Sequence, residues 1–273
     1  MLLNSVILIL QETLEAALLI GVLLAINARM HNSHGWLWRG LGLGTVIAFV
    51  TAVNMGSISS WFDYAGQEVL NAVMQSLICL LIVVTVWLIA GMKQLPHSTQ
   101  QARNRFGQFC TVIIMLAVIR EGQEIMLYLS GFLGNSEHIQ KVFIGSIIGF
   151  GIGASTGILL FYSLAGLPQK WSGPVTITLL ALFAGTMLSQ SVLQLTQVDW
   201  IDQSAPLWDS SAILAENSLI GELLYALIGY ESKPTAAQVL SYAAATCLVL
   251  LAANRHLLTA NRQPDQNSGE IAQ

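Results

Sequence analysis

The chain has 273 residues, of which 54% are hydrophobic and only 10% charged, with a formal net charge of −4 and a mean hydropathy of +0.65. A soluble domain carries about 25% charged residues, so the composition excludes an ordinary water-soluble domain, a disordered chain and a coiled coil, and points to a polytopic membrane protein. Acidic residues outnumber basic ones, unlike the basic footprint of a nucleic-acid binder, and Cys79, Cys110 and Cys247 lie in apolar stretches with no CxxC spacing.

Seven apolar stretches are long enough to cross a bilayer, which takes about 20 residues each. They fall at about 2–27, 41–61, 69–91, 107–133, 142–166, 175–197 and 235–253. The first carries two carboxylates and lacks a basic leader, so it is expected to remain as a span. The connection at about 198–234 is too polar in its first half to cross. Its second half, Ile213 to Tyr230, is expected to form a short interfacial helix. The predicted fold is all-α: one transmembrane domain over 1–253 and a polar cytoplasmic tail over 254–273.

The basic residues give an orientation. Arg29, Arg39, Lys93, Arg103, Arg105, Lys170, Arg255 and Arg262 fall on one side, Lys141 and Lys233 on the other, and Arg120 inside a span. The rich side is expected to be cytoplasmic, with the N-terminus outside and the C-terminus inside. The acids Asp63, Glu68, Glu137, Asp199, Asp202, Asp209, Glu216, Glu222 and Glu231 fall on or near the outer side, where they would concentrate cations. Trp36, Trp38, Trp61, Trp87, Trp171 and Trp200 lie near predicted interfaces, where amphipathic rings settle.

The chain repeats itself at a constant offset of 109 residues, the distance from Glu12 to Glu121. Gln11 to Glu15 maps onto Arg120 to Glu124, and Gly40, Gly42 and Gly44 onto Gly149, Gly151 and Gly153. One unit covers about 1–95 and the other about 105–198. Three spans per unit is an odd number, so the second unit is expected to insert upside down, as in many secondary transporters with midplane sites. In the fifth span, Gly145, Gly149, Gly153 and Gly157 recur every four residues and predict a face where another helix comes close.

Glu12 and Glu15 sit near the middle of the first span, Glu121 and Glu124 near the middle of the fourth. Residues three apart share a helix face. An acid at the bilayer centre costs about 2.5–3.5 kcal/mol. Four cost on the order of 10–14 kcal/mol, comparable with a whole domain's stability of about 5–15 kcal/mol. Protons, Arg120 or a bound cation must compensate them. Arg120 neutralises one charge at most, leaving a formal −3 if all four are ionised. Hard carboxylate oxygens suit iron, above all ferric iron, better than copper(I), which prefers Met and Cys. The competing reading is a buried ion-pair network that only fixes helix packing.

These residues resemble a family. Glu-x-x-Glu in the first span and Arg-Glu-x-x-Glu in the fourth, in a seven-span chain, are similar to the oxidase-dependent iron permeases, which include fungal high-affinity and bacterial Efe-type permeases. Trp208 to Gln238 resembles the family's last outer loop, with Asp209-Ser210-Ser211, Ser218-Leu219-Ile220-Gly221, Gly229-Tyr230 and Gln238 in the expected order. The resemblance implies iron import across a cell membrane, with iron ions as cargo and no prosthetic group. It implies a partner at the outer face that binds or oxidises iron: an iron-binding protein, ferroxidase or peroxidase. By motif position it makes Glu12, Glu15, Glu121 and Glu124 metal residues and Arg120 and Gln11 site-tuning residues. Two positions depart from the pattern. Gln11 stands where the family usually has Arg, and Asn71 where it often has a second acid after Gln67-Glu68. Asn71 is read as a relay position or neutral ligand.

Asp63, Glu68, Asn71 and Glu137 are the candidates for the outer mouth of the path. Gln190 and Gln194, about one turn apart in the sixth span, are candidate path-lining residues, with helix-to-helix hydrogen bonding as the plainer reading. His138 beside Glu137, and His31, His34 and His97 in inner loops, are weaker metal contacts; His256 carries no assigned role. The chain is therefore expected to be an iron permease of a bacterial inner membrane, working by rocking or gating one repeat against the other. A transporter or exchanger for manganese or zinc is the alternative, because carboxylates do not fix the metal. An intramembrane enzyme is not expected: the chain contains no His-Glu-x-x-His, and its one Gly-x-Ser-x-Gly, Gly153 to Gly157, falls inside an apolar span and not on a strand-to-helix turn.

Overall fold

The computed structural model describes residues 1–92, 100–132, 136–215 and 218–254. Lys93, His97, Glu216, Arg255, His256, Arg262 and the tail lie outside the described residues, as do the side chains of Glu137, His138 and Glu222. Among the described residues there are nine helices and no strand. They are α1 (Leu2–Arg29), α2 (Gly35–Val53), α3 (Met55–Ser59), α4 (Gly66–Met92), α5 (Gln100–Ser130), α6 (Ser136–Ala165), α7 (Gln169–Gln197), α8 (Leu219–Ile228) and α9 (Ala236–Ala253).

Six of these, namely α1, α2, α4, α6, α7 and α9, contain stretches long and apolar enough to cross a membrane. Their outward faces carry large apolar side chains, among them Phe49 and Val50 on α2, Leu80 on α4 and Phe150 and Leu159 on α6. Water would not tolerate so continuous an apolar surface, and the chain is a multi-pass membrane protein. The remaining predicted span, the fourth in chain order, corresponds to α5. It is the longest helix at 31 residues, but Arg103, Arg105, Arg120, Glu121 and Glu124 hold its composition below that of an apolar span.

The second span departs from its predicted position. The chain is helical from Gly35, six residues earlier than expected, and the helix ends at Val53, where Asn54 leaves helical geometry. Arg39 does not delay the start, because its Nε donates to the Gly35 carbonyl. Trp36 turns inward. It is buried between helix ends, and its indole N–H donates to Asn27 Oδ1 at 2.9 Å. Trp38, Trp61, Trp87, Trp171 and Trp200 are exposed. The expected interfacial helix is α8, shortened to ten residues and packed on α1 and α7. Ser218 caps its start by accepting from the Gly221 N–H, and Gly229 ends it with a left-handed φ of 68°.

The principal contacts pair α1 with α6, α2 with α5, α4 with α7 and α7 with α9. The glycines explain the first two pairings. A Cβ on Gly149 would lie 2.5 Å from the Val6 carbonyl oxygen, and one on Gly157 would lie 2.6 Å from that of Ala17. The backbones of α6 and α1 therefore touch where glycine leaves room. Gly40 and Gly44 do the same for α2, against the carbonyls of Thr111 and Met115 on α5.

One end of the bundle is knitted by the basic residues of the sequence. Arg29 Nη2 donates to the carbonyl of Leu164, in the last turn of α6, and to that of Leu167, just beyond it, at 3.1 and 3.0 Å. Asn32 donates to the Arg103 carbonyl. At another junction, between the α3–α4 turn and the chain after α7, Phe62 meets Trp200 edge to face. In that turn Phe62, Asp63 and Tyr64 all take left-handed φ values of 52–72°, a conformation that disfavours side chains. The loop before α8 folds back on the start of α9 through Leu207 and Pro234 and through Ser210 and Ser232. A capping box of Thr235 and Gln238 opens α9.

A Gly149→Val substitution is expected to separate α6 from α1 at a cost of about 1–3 kcal/mol. Gly151 faces open space, and Gly151→Ala is expected to leave stability unchanged. Thermal denaturation of the two purified variants in one detergent checks both.

Candidate functional site

The predicted acids of α1 and α5 come together inside the bundle. Arg120 joins them. Its Nη1 lies 3.0 Å from Glu15 Oε2 and 3.0 Å from Glu121 Oε1, and it points at the Met187 sulfur of α7 at 3.9 Å. All three charged residues are buried: Arg120 is 5% exposed, Glu15 8% and Glu121 3%. Glu12 and Glu124 are half-buried beside them. The helical repeat explains the grouping. Positions 120, 121 and 124 share the inner face of α5 with Ala117, while Glu12 and Glu15 share a face of α1.

The Glu12 carboxyl lies within hydrogen-bonding range of the Glu121 carboxyl. These two residues stand at equivalent positions of the sequence repeat. Among the described residues no N–H or O–H group donates to Glu121 Oε2, and no acceptor receives the Arg120 Nε–H. Two ionised carboxylates do not rest against each other in a buried site.

One side of the site is held by amides. Asn71 on α4 donates from Nδ2 to Glu124 Oε1 at 3.1 Å and accepts at Oδ1 from Gln123 Nε2 at 2.6 Å. Asn71 was a candidate neutral ligand by its position. Its oxygen is engaged by Gln123, so it acts here as the holder of Glu124. Gln190 pairs with a residue that the sequence reading passed over: Gln75 Nε2 donates to Gln190 Oε1 at 2.9 Å. Ser76 and Ser191 share a hydrogen bond beside them, and Ser191 also donates to the Ala72 carbonyl. Gln194 is half-buried about one turn further along α7.

The other candidates stand apart from this group. Asp63 is exposed in the strained turn before α4, and Glu68 is half-buried in the first turn of α4, one turn before Asn71. Gln11 is half-buried next to Glu12. The side chain of Glu137 lies outside the described residues. Asp209 on the loop is committed elsewhere. The Ser211 hydroxyl and N–H and the Lys233 ammonium hold its carboxyl down at about 2. His31 and His34 are exposed. Among the described residues no three His, Cys, Asp or Glu side chains group as a ready-made metal cage. The four glutamates are instead divided by the Arg120 guanidinium.

Gln75, Gln123, Met187 and Tyr225 were missed from the sequence. Tyr225 of α8 lies within electrostatic reach of Glu15, Arg120 and Glu12, and also of Glu231 on the loop. Gln75 had a readable signal, since an amide in an otherwise apolar span is costly. Tyr225 had none, because its role depends on α8 folding into the bundle.

Removing the cation from the buried cluster leaves two carboxylates without it. Arg120→Met is expected to destabilise the protein by about 3–5 kcal/mol, the cost of breaking a buried pair from one side. Arg120→Met combined with Glu15→Gln is expected to recover part of that loss. Melting temperatures of the purified single and double variants check this.

The chain matches the Iron permease FTR1 family over residues 2–261. It is 22% identical over 252 residues to the ferrous iron permease EfeU of Escherichia coli O6:H1 (strain CFT073), covering 85% of this chain and 88% of that protein. It is 21% identical to the ferrous iron permeases EfeU of Shigella sonnei (strain Ss046), at 85% and 88% coverage, and of Yersinia pestis, at 85% and 86%. No solved structure matches the chain.

Proposed function

We propose, from the premise that the chain belongs to the iron permease FTR1 family, that it takes iron across the membrane through the carboxylates of α1 and α5. The observation that carries this reading is the contact between Glu12 and Glu121, two carboxyls inside an apolar bundle, in hydrogen-bonding range of each other. A cation is the natural occupant of such a contact. Glu12, Glu15, Glu121 and Glu124 carry a formal −4, Arg120 reduces it to −3, and a ferrous ion would reduce it to −1.

Arg120 acts as a placeholder in this reading. Its guanidinium holds Glu15 and Glu121 while the site is unloaded, and an arriving cation competes for those oxygens. Glu124 is pre-aimed by Asn71 and forms the outer side of the site. The two departures from the resembled motif have opposite signs. Gln11 removes a positive charge and Asn71 a negative one, so the formal charge of the site is preserved.

The architecture supporting this reading is an inverted repeat of α1, α2 and α4 against α5, α6 and α7, with α5 as the seventh span and α9 outside the repeat. Two patterns support it. Partners are exchanged between the halves, α1 with α6 and α2 with α5. Equivalent residues also meet each other, as Glu12 does with Glu121. In the proposed orientation the end bearing Arg29, Arg39, Arg103, Arg105 and Lys170 is cytoplasmic, the N-terminus is outside and the membrane is a bacterial inner membrane. Asp63 and Glu68 then lie at the outer mouth, where an iron-binding protein, ferroxidase or peroxidase would deliver its cargo. Manganese or zinc transport is not favoured by the family.

The test is radioactive iron uptake into proteoliposomes, offered as ferrous iron first, because the named relatives are ferrous iron permeases, and then as chelated ferric iron. Glu12→Gln and Glu121→Gln are each expected to lower uptake by about tenfold or more. Excess manganese and zinc are expected to leave wild-type uptake intact. Unchanged uptake in both variants would remove the carboxylate site from the mechanism, and strong competition by manganese or zinc would replace the cargo.

A further inference from the structure

We infer that the buried pair Gln75–Gln190 is a second, uncharged way-station for the cation, next to the carboxylates and closed by a single amide hydrogen bond. The inference rests on the iron-transport reading above and extends its path by two residues that the resembled motifs do not contain.

Burial and bonding give the first ground. Gln75 is 0% exposed and Gln190 3%. Gln75 Nε2 donates to Gln190 Oε1, and no other bond satisfies the pair: among the described residues Gln75 Oε1 and Gln190 Nε2 have no partner. An amide has one acceptor oxygen and a two-donor nitrogen. Turning both amides over exchanges the roles and still leaves one atom on each side unused. Leaving a buried polar atom unpaired costs about 1–3 kcal/mol. Helix adhesion does not require that cost, because the adjacent Ser76–Ser191 pair and the bond from Ser191 to the Ala72 carbonyl already join α4 to α7.

Position gives the second ground. Asn71, which holds Glu124, lies one turn before Gln75 on α4. Met187, whose sulfur faces Arg120, lies one turn before Gln190 on α7. The pair is thus flanked on one helix by a residue touching Glu124 and on the other by a residue touching Arg120. Both Gln75 with Gln190 and Ser76 with Ser191 keep a separation of 115 residues. Both bonds join α4 of the first half of the sequence to α7 of the second, as the Glu12–Glu121 contact joins α1 to α5. The glutamines therefore lie where the two halves face each other, as do the carboxylates.

Chemistry gives the third ground. When the amide bond opens, the pair presents two carbonyl oxygens, which suit a hard divalent cation and carry no charge. A neutral station beside a strongly negative one lets the ion leave the carboxylates, because conduction needs sites weak enough to release their ion. The residues that hold the ion tightly and those that let it go are then on different helices.

Two variants test this in proteoliposomes loaded as above. Gln75→Leu with Gln190→Leu removes the oxygens and fills the space with apolar atoms. It is expected to keep or raise the melting temperature while lowering kcat for ferrous iron by about tenfold or more. Gln75→Glu adds a charged ligand and is expected to lower both KM and kcat, through tighter capture and slower release. Wild-type kinetics in a folded double variant, or an unchanged KM in Gln75→Glu, would overturn the inference and leave the Glu12 and Glu121 reading standing. Uptake insensitive to Glu12→Gln and Glu121→Gln would remove that reading and this inference with it.

Discussion

The structure turns on the contact of Arg120 with Glu15 and Glu121. One guanidinium nitrogen reaches two carboxylates from different helices, and all three residues are nearly sealed from solvent. In so apolar a surrounding, a charge without a partner costs several kcal/mol. The interaction therefore fixes which face of α1 meets which face of α5. The surrounding polar atoms are arranged around that choice. Met187 closes one side of the guanidinium, and Gln123, Asn71 and Glu124 form a chain on the other. The same contact is incomplete by design of the sequence, since four carboxylates share one arginine. What stabilises the bundle also leaves it short of positive charge at its centre.

Much of this was legible in the sequence. Seven of the nine helices were anticipated as spans, and α8 as a short helix. The two Glu pairs fell on inner faces because helical spacing leaves few other solutions once burial is required. The glycine face of α6 was also readable, since a residue without Cβ every four positions has a packing meaning in a membrane. The errors have physical causes. Hydropathy places a span by its apolar middle and does not see that α2 starts at Gly35 or that Trp36 finds a buried partner in Asn27. The break at Asn54 and the short α3 depend on a turn that no apolar count reveals. The hydrogen bonds of Asn71 to Gln123 and Glu124 were not readable either, because they join two helices.

The site was less legible than the fold for one reason. Its amides act in pairs across helices, and a pair is invisible until the helices are placed. Gln190 alone looked like an ordinary packing residue, and Gln75 drew no notice. Tyr225 belongs to a helix in a connecting loop, and only the return of that loop into the bundle brings it near Glu15. The carboxylates were easy to find because their cost is individual, whereas the amides have meaning only together.

The close approach of α6 to α1 bears on how such a molecule can move. Backbone touching backbone at Gly149 and Gly157, with Arg29 fastened to the end of α6, leaves little freedom between these two helices. The same is true of α2 on α5 through Gly40 and Gly44. Each of these stiff couples takes one helix from each half of the sequence. A division of the molecule along the repeat boundary would tear both couples apart. The mechanical units are therefore crossed pairs, α1 with α6 and α2 with α5. At the seam between them carboxyls and a guanidinium meet instead of glycine and backbone.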